Sequence, residues 1–170
     1  MNTTDLLVES FGRIGPTLHR AVEGLDRTGL TYRVDPEANT VAWLAWHAAR
    51  VQDAQIADVA GTPEVWSADG WAQRLALPFP ESATGYGQSA ADVGRVDVEG
   101  DLLLGYYDAV AARTLDHLRG LSAADLDRVV DESWDPPVTL GVRLVSILAD
   151  DLQHVGQAAY VRGVVDRVRG

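Results

Sequence analysis

The sequence predicts an all-α fold, a four-helix bundle built around a metal centre. Three observations carry that reading. Four long segments place apolar residues at three- and four-residue steps, the period of a helix with one buried face. Extended structure is hinted at only by Val129, Val130 and Val138. His47 on the second segment, and Asp150 with His154 on the fourth, put metal-ligand side chains on faces that a bundle turns toward its centre.

The first segment runs from about Thr4 to Leu25, with Leu7, Phe11, Ile14, Leu18, Val22 and Leu25 in step. Pro16 lies inside it and predicts a kink or break, because proline offers no N–H and its ring clashes with the preceding turn. The second opens at Asn39 or Thr40, both good N-caps, and runs to Ala60, where Gly61-Thr62-Pro63 stops it. Pro63 to Leu75 has room for a helical turn or two. Pro78 to Gly94, rich in Gly, Pro, Ser and Thr, reads as a long loop between the second and third helices. A loop of that length is either a lid over a site or a solvent-exposed connection. The third segment covers about Gly100 to Arg119 and stops at Gly120. Ser122-Ala123-Ala124-Asp125 has the form of a capping box and predicts a short helix. The fourth follows Trp134-Asp135-Pro136-Pro137 and runs from about Thr139 to Arg162, ending at Gly163. No internal repeat interrupts this order, and residues 1–170 read as one domain.

Composition narrows the chemistry. Of the 170 residues, 46% are apolar, enough for a packed core. No apolar run reaches the ~20 residues of a membrane helix. The start, Met1-Asn2-Thr3-Thr4-Asp5, lacks the basic stretch of a signal peptide, so a cytoplasmic protein is expected. The formal charge of −11 opposes nucleic-acid binding, which needs basic side chains facing phosphates. There is no cysteine, so disulfides, thiolate metal sites and a cysteine nucleophile are excluded, and any sulfur chemistry must use an external thiol. There is no lysine either; every basic residue is arginine, a bias associated with GC-rich genomes.

Asp150 and His154 are four apart, so a helix stacks them on one face. With His47 they offer a carboxylate and two imidazoles, three ordinary ligands for a divalent transition metal, and three protein ligands leave a coordination position open for chemistry. The bland alternative is a buried ion pair between His47 and Asp150. Asp151 and His154, three apart, match another spacing used in bundle metal sites, so spacing alone does not choose between Asp150 and Asp151. His19 and His117 are weaker candidates; a protonated imidazole near a helix C-terminus accounts for His117. Trp43, one turn before His47, is placed to wall a pocket, while most of the five tryptophans fit core packing.

Asn39 to Arg50 (with Trp43, Trp46 and His47) and Asp151 to Gly163 (with His154-Val155-Gly156-Gln157) resemble the DinB superfamily. That superfamily includes thiol-dependent S-transferases using mycothiol or bacillithiol and the mycothiol-dependent maleylpyruvate isomerase. Its pattern is a histidine on the second helix, then His-x-x-x-His on a late helix, with x-Gly-Gln after the last. The first histidine of that late motif is Asp150 here. A carboxylate holds this position in the isomerase branch, and this favours Asp150 over Asp151. The resemblance implies an up-down-down-up bundle, a zinc-like ion (zinc or nickel) near one end, and a homodimer.

The function expected from these readings is a metal-dependent S-transferase or isomerase that joins a small-molecule thiol, mycothiol in the first instance, to an electrophile. His47, Asp150 and His154 hold the metal. Gln157, one turn after His154, is expected to orient a ligand or substrate. Arg50 and Arg162 are candidates to clamp a carboxylate of the thiol or acceptor, weighed against ordinary surface ion pairs. Two rivals remain at this point. One is a metal-dependent hydrolase, with Asp53 or Asp151 as base for a bound water. The other is a non-enzymatic metal- or ligand-binding stress-response protein.

Overall fold

A computed structural model describes residues 2–170; Met1 lies outside the described residues. In chain order the helices are α1 (Thr3–Gly12), α2 (Ile14–Val22), α3 (Arg27–Leu30), α4 (Val41–Ala60), α5 (Val65–Ala68), α6 (Trp71–Leu75), α7 (Ala90–Val93), α8 (Gly100–Arg119) and α9 (Leu140–Arg169). A 3-10 turn, Ala123–Asp127, precedes a small antiparallel pair, β1 (Val129–Asp131) with β2 (Val138–Thr139), in which Val129 faces Thr139 and Asp131 faces Val138. The three valines thus lie where extended structure was predicted.

The four-helix bundle consists of α1 with α2, α4, α8 and α9. Contacts fix the directions. Thr4 Oγ1 donates to the Leu121 carbonyl and His19 meets Asp108, so the first helical unit runs antiparallel to α8. Arg162 reaches the Glu23 carbonyl and Arg169 pairs with Asp26, so α9 ends beside the end of α2 and runs parallel to it. Gln52 meets Thr114 and Arg50 meets Tyr106, which sets α4 parallel to α8. The result is up-down-down-up, with α4 against both α8 and α9. Every side chain from Val41 to Arg50 is buried, because this stretch is covered on all sides. Ile14, Leu18, Leu44, Leu103, Leu118, Leu144 and Ile147 fill the centre. Among the described residues no helix is long and apolar enough to cross a membrane.

Three boundaries differ from the sequence reading. The break in the first segment falls at Arg13, three residues before Pro16, since Pro16 cannot donate to the Gly12 carbonyl one turn earlier. Helix α9 does not stop at Gly163 but continues to Arg169. Val165 is buried there, the Arg162 guanidinium satisfies carbonyls at the end of α2, and Arg169 grips Asp26 with two bonds of 2.6 and 2.7 Å. Tertiary contacts outweigh the ~1 kcal/mol penalty of one glycine. The loop from Pro78 to Gly94 contains α7, started by a Ser89–Asp92 capping box of the same form as Ser122–Asp125.

Candidate metal centre

Thr40 starts α4 by accepting from the Trp43 N–H at 3.0 Å, and this phases the helix so that Trp43 and His47 sit one turn apart on the side facing α9. On α9, Asp150 and His154 are likewise one turn apart and face α4. The two helices are antiparallel neighbours, and they bring ligand atoms of His47, Asp150 and His154 all within 4.8 Å of one another. No fourth His, Asp or Glu joins this group among the described residues. The imidazole rings lie 4.6 Å apart, edge to face, and Trp43 stacks on His47 at 4.5 Å and 16°.

Hydrogen bonding decides which nitrogen each histidine presents. His47 Nδ1 lies 2.6 Å from the Thr84 carbonyl oxygen, and His154 Nδ1 lies 2.7 Å from that of Asp150. A carbonyl only accepts, so both Nδ1 atoms carry the proton and donate. Each ring keeps its Nε2 lone pair for another partner, the arrangement that metal-binding histidines use to fix tautomer and ring plane. Asp150 Oδ2 is buried and accepts no hydrogen bond; the His154 Nδ1–H, 3.4 Å away, is aimed at the backbone oxygen instead. An orphaned carboxylate oxygen beside two imidazole lone pairs fits a divalent cation.

The electrostatics favour ligation at His47 and Asp150, while at His154 an ion would compete with a proton. Burial pushes the His47 imidazole below its ordinary pKa, which keeps it neutral and able to ligate. The Asp150 carboxylate raises His154, and His154 in turn lowers Asp150, so the acid is ionised.

The loop between α6 and α7 closes over this cluster. Thr84 supplies the carbonyl that holds His47, and Gln88 Oε1 accepts from Trp43 Nε1 at 2.7 Å. Between them, Gly85 has φ +97, and a Cβ added there would come within 2.5 Å of His47 Nδ1 and 3.2 Å of Trp43 Cζ2. Only glycine lets the backbone approach so closely. Of the two readings of this loop, the structure supports the one in which it covers the site. Sequence reasoning passed over Thr84, Gly85 and Gln88. The signal available was Gly85-Tyr86-Gly87, an aromatic residue between two glycines in a long loop.

A cleft of about 520 Å³ opens beside His47 and Asp150. Val51 and Ala54 line it from α4, Ser146 and Gln153 from α9, and Tyr86 stands at its mouth, 93% exposed.

The other residues singled out in the sequence lie as follows. Trp43 walls the cluster. Gln157 is exposed and lines a separate depression with Asn39, Leu44 and Tyr160. Arg50 is 0% exposed and already engaged: it meets Glu64 at 3.0 Å, Tyr106 Oη at 3.3 Å and the Ala83 carbonyl at 3.2 Å. Arg162 is held at the end of α2, two turns beyond His154. The structure brings neither arginine to the cluster. Asp53 is committed to the Val65 and Trp66 N–H groups and the Tyr106 hydroxyl. Asp151 is 0% exposed and outside the cluster, and burial raises its carboxyl well above the usual range. His19 bridges Glu23 and Asp108. His117 lies in the last turn of α8, as expected, where burial, and then Arg128, lower its pKa. Trp43, Trp46, Trp66 and Trp71 are buried, whereas Trp134 is exposed.

The family model of mycothiol-S-transferase matches residues 7–167. The chain is similar to the conserved protein of a locus from Enterococcus faecalis, known from a crystal structure. The identity is 31%, the TM-score is 0.90, and the match covers 97% of this chain and 98% of that one. No curated protein matches the chain.

Proposed function

This chain belongs to the mycothiol-S-transferase family, DinB-like in fold, and from that premise we propose that it is a metal-dependent enzyme joining a low-molecular-weight thiol to a small electrophile. The observation that carries the proposal is the convergence of His47, Asp150 and His154 within 4.8 Å, with both Nδ1 protons committed to carbonyls and a carboxylate oxygen left without a donor. These three residues would hold the ion, zinc or nickel. When bound, a divalent transition ion lowers the pKa of a thiol and keeps its sulfur anionic near neutral pH.

The protein's own groups supply the rest. Thr84 and the Asp150 carbonyl hold the imidazoles in one tautomer. Trp43 and the covering loop exclude water from one flank. The cleft leaves the other flank open to a thiol and an acceptor, and three protein ligands without a fourth favour an open site over a closed structural one. The thiol loses its proton to solvent, its sulfur donates a pair to the electrophilic carbon, and the displaced pair leaves with the departing group or, on an alkene, takes a proton from water. Mycothiol is the thiol we assign. The hydrolase reading is the weaker because Asp53 and Asp151, the bases it needs, are committed or buried away from the cluster.

The reading includes one domain over residues 1–170 and a homodimer. Support for the dimer is a row of exposed apolar side chains on α9, Val142, Val145, Leu152 and Tyr160, which an isolated chain leaves in water. The experiment is metal analysis of purified protein beside His154→Ala, followed by measurement of mycothiol consumption with an electrophile. One ion per chain, lost in the variant together with thiol transfer, is expected. Equal metal content in both proteins would remove the site, and metal without thiol transfer would favour a non-enzymatic role.

A further inference from the structure

We propose that the acceptor taken by this site is an uncharged electrophile with a flat apolar body, docked against Tyr86, and that carboxylated acceptors are excluded. The inference rests on the transferase reading for the reaction, and on the cleft alone for the selectivity.

Charge is the first ground. Asp150 is the sole carboxylate lining the cleft beside the metal centre, and no arginine lines it. The nearest arginines along the two lining helices are spoken for. Arg50, next to Val51, is fully buried and tied to Glu64, Tyr106 and Ala83. Arg143, one turn before Ser146, is paired with Asp131 at 3.1 Å. With two imidazoles and one carboxylate as ligands, a divalent ion leaves one net positive charge, and an anionic sulfur cancels it. A carboxylate entering beside that sulfur would lose water without gaining a counter-charge.

Shape and surface are the second ground. Val51, Ala54 and Ala149 give the cleft an apolar floor, and Gln55, Ser146 and Gln153 offer neutral hydrogen bonds. Tyr86 is a large aromatic side chain standing 93% in water at the mouth. It sits between Gly85 and Gly87, both at positive φ, on the same loop that holds His47 through Thr84. An exposed tyrosine in that position is a stacking platform for a flat ligand. The reaction is addition: sulfur bonds to the β-carbon of an activated alkene, the π pair moves to the α-carbon, and that carbon takes a proton from water.

The test uses one matched pair. Benzylideneacetone and its para-carboxylate share the reacting alkene and differ by one remote charge; their saturated analogues cannot react. Backbone amide shifts of the metal-loaded protein are followed while each saturated analogue is added. The neutral ketone is expected to move the Gly85, Tyr86 and Gly87 signals and to bind about tenfold or more tightly than the carboxylate, the order of discrimination that an unpaired charge imposes. Tyr86→Ala should weaken the neutral ligand, and Gln55→Arg should restore binding of the carboxylate. Mycothiol addition, measured over the uncatalysed rate, should show the same preference in KM. Equal binding of the two analogues, preference for the carboxylate, or no response at Tyr86 overturns the inference. Selective binding without any mycothiol addition supports the cleft assignment while ending the transferase reading.

Discussion

Gly85→Ala and Gly87→Ala differ by one contact, and that contact is with a proposed metal ligand. Both glycines have positive φ, +97 and +71, so an alanine at either position costs about 1–2 kcal/mol of backbone strain. The surroundings then separate them. A Cβ at position 87 meets nothing within 4 Å, whereas a Cβ at position 85 would lie 2.5 Å from His47 Nδ1. No rotation relieves that overlap, because His47 is clamped between Trp43 on one side and the Thr84 carbonyl on the other. The loop must lift, and the bond that fixes the His47 tautomer breaks. Loss of such a supporting bond lowers metal affinity about 10- to 100-fold. The assay is chelator competition for zinc on the wild type and both variants, beside thermal unfolding. Gly87→Ala should melt about 2–8 °C lower, at roughly 2–4 °C per kcal/mol, and keep wild-type metal affinity. Gly85→Ala should lose affinity by one to two orders of magnitude. Equal affinity in the two variants would refute the view that the loop positions a metal ligand.

Asp151→Asn should retain the metal while Asp150→Asn loses it, measured by metal content, and the Asp151 variant should melt higher at neutral pH because it removes a carboxyl that burial disfavours when ionised. Arg50→Met should lower stability by about 1–3 kcal/mol, read by denaturant unfolding, since it removes the buried guanidinium that meets Glu64, the Tyr106 hydroxyl and the Ala83 carbonyl; a selective rise in KM for a carboxylated acceptor with stability intact would contradict the structural role. The His19 imidazole is raised by Asp108 and then by Glu23, so its contribution is present below pH ~6.5 and is lost as pH rises through the folded-state pKa. His19→Gln should flatten that part of the stability profile by less than about 1 kcal/mol; an unchanged profile would dismiss the bridge.

The parts of this molecule that were legible in the sequence are those governed by local rules. Thr40 and Thr139 cap helices, Gly61 and Gly120 follow the ends of α4 and α8, and Asp150 and His154 share a face by spacing alone. Contacts between distant residues were not legible. Nothing near Gly163 reveals that Asp26 and the end of α2 hold α9 together as far as Arg169. Arg50 and Asp53 look like site residues because they lie one and two turns beyond His47, but Glu64 and Tyr106 claim them from elsewhere in the chain. Spacing left Asp150 and Asp151 open, and only the resemblance to the DinB superfamily favoured Asp150. They are adjacent, so helix geometry sends one toward α4 and His47 and the other into the core.

X-ray absorption at the edge of the bound metal, recorded before and after saturation with mycothiol, reads the proposed chemistry at the atom that would perform it. Two imidazoles and a carboxylate should give light-atom scatterers at about 2.0–2.2 Å, and the thiol, once added, a new sulfur scatterer at about 2.3 Å. A spectrum with histidine scattering absent, or one in which saturating mycothiol brings no sulfur to the ion, would contradict that chemistry.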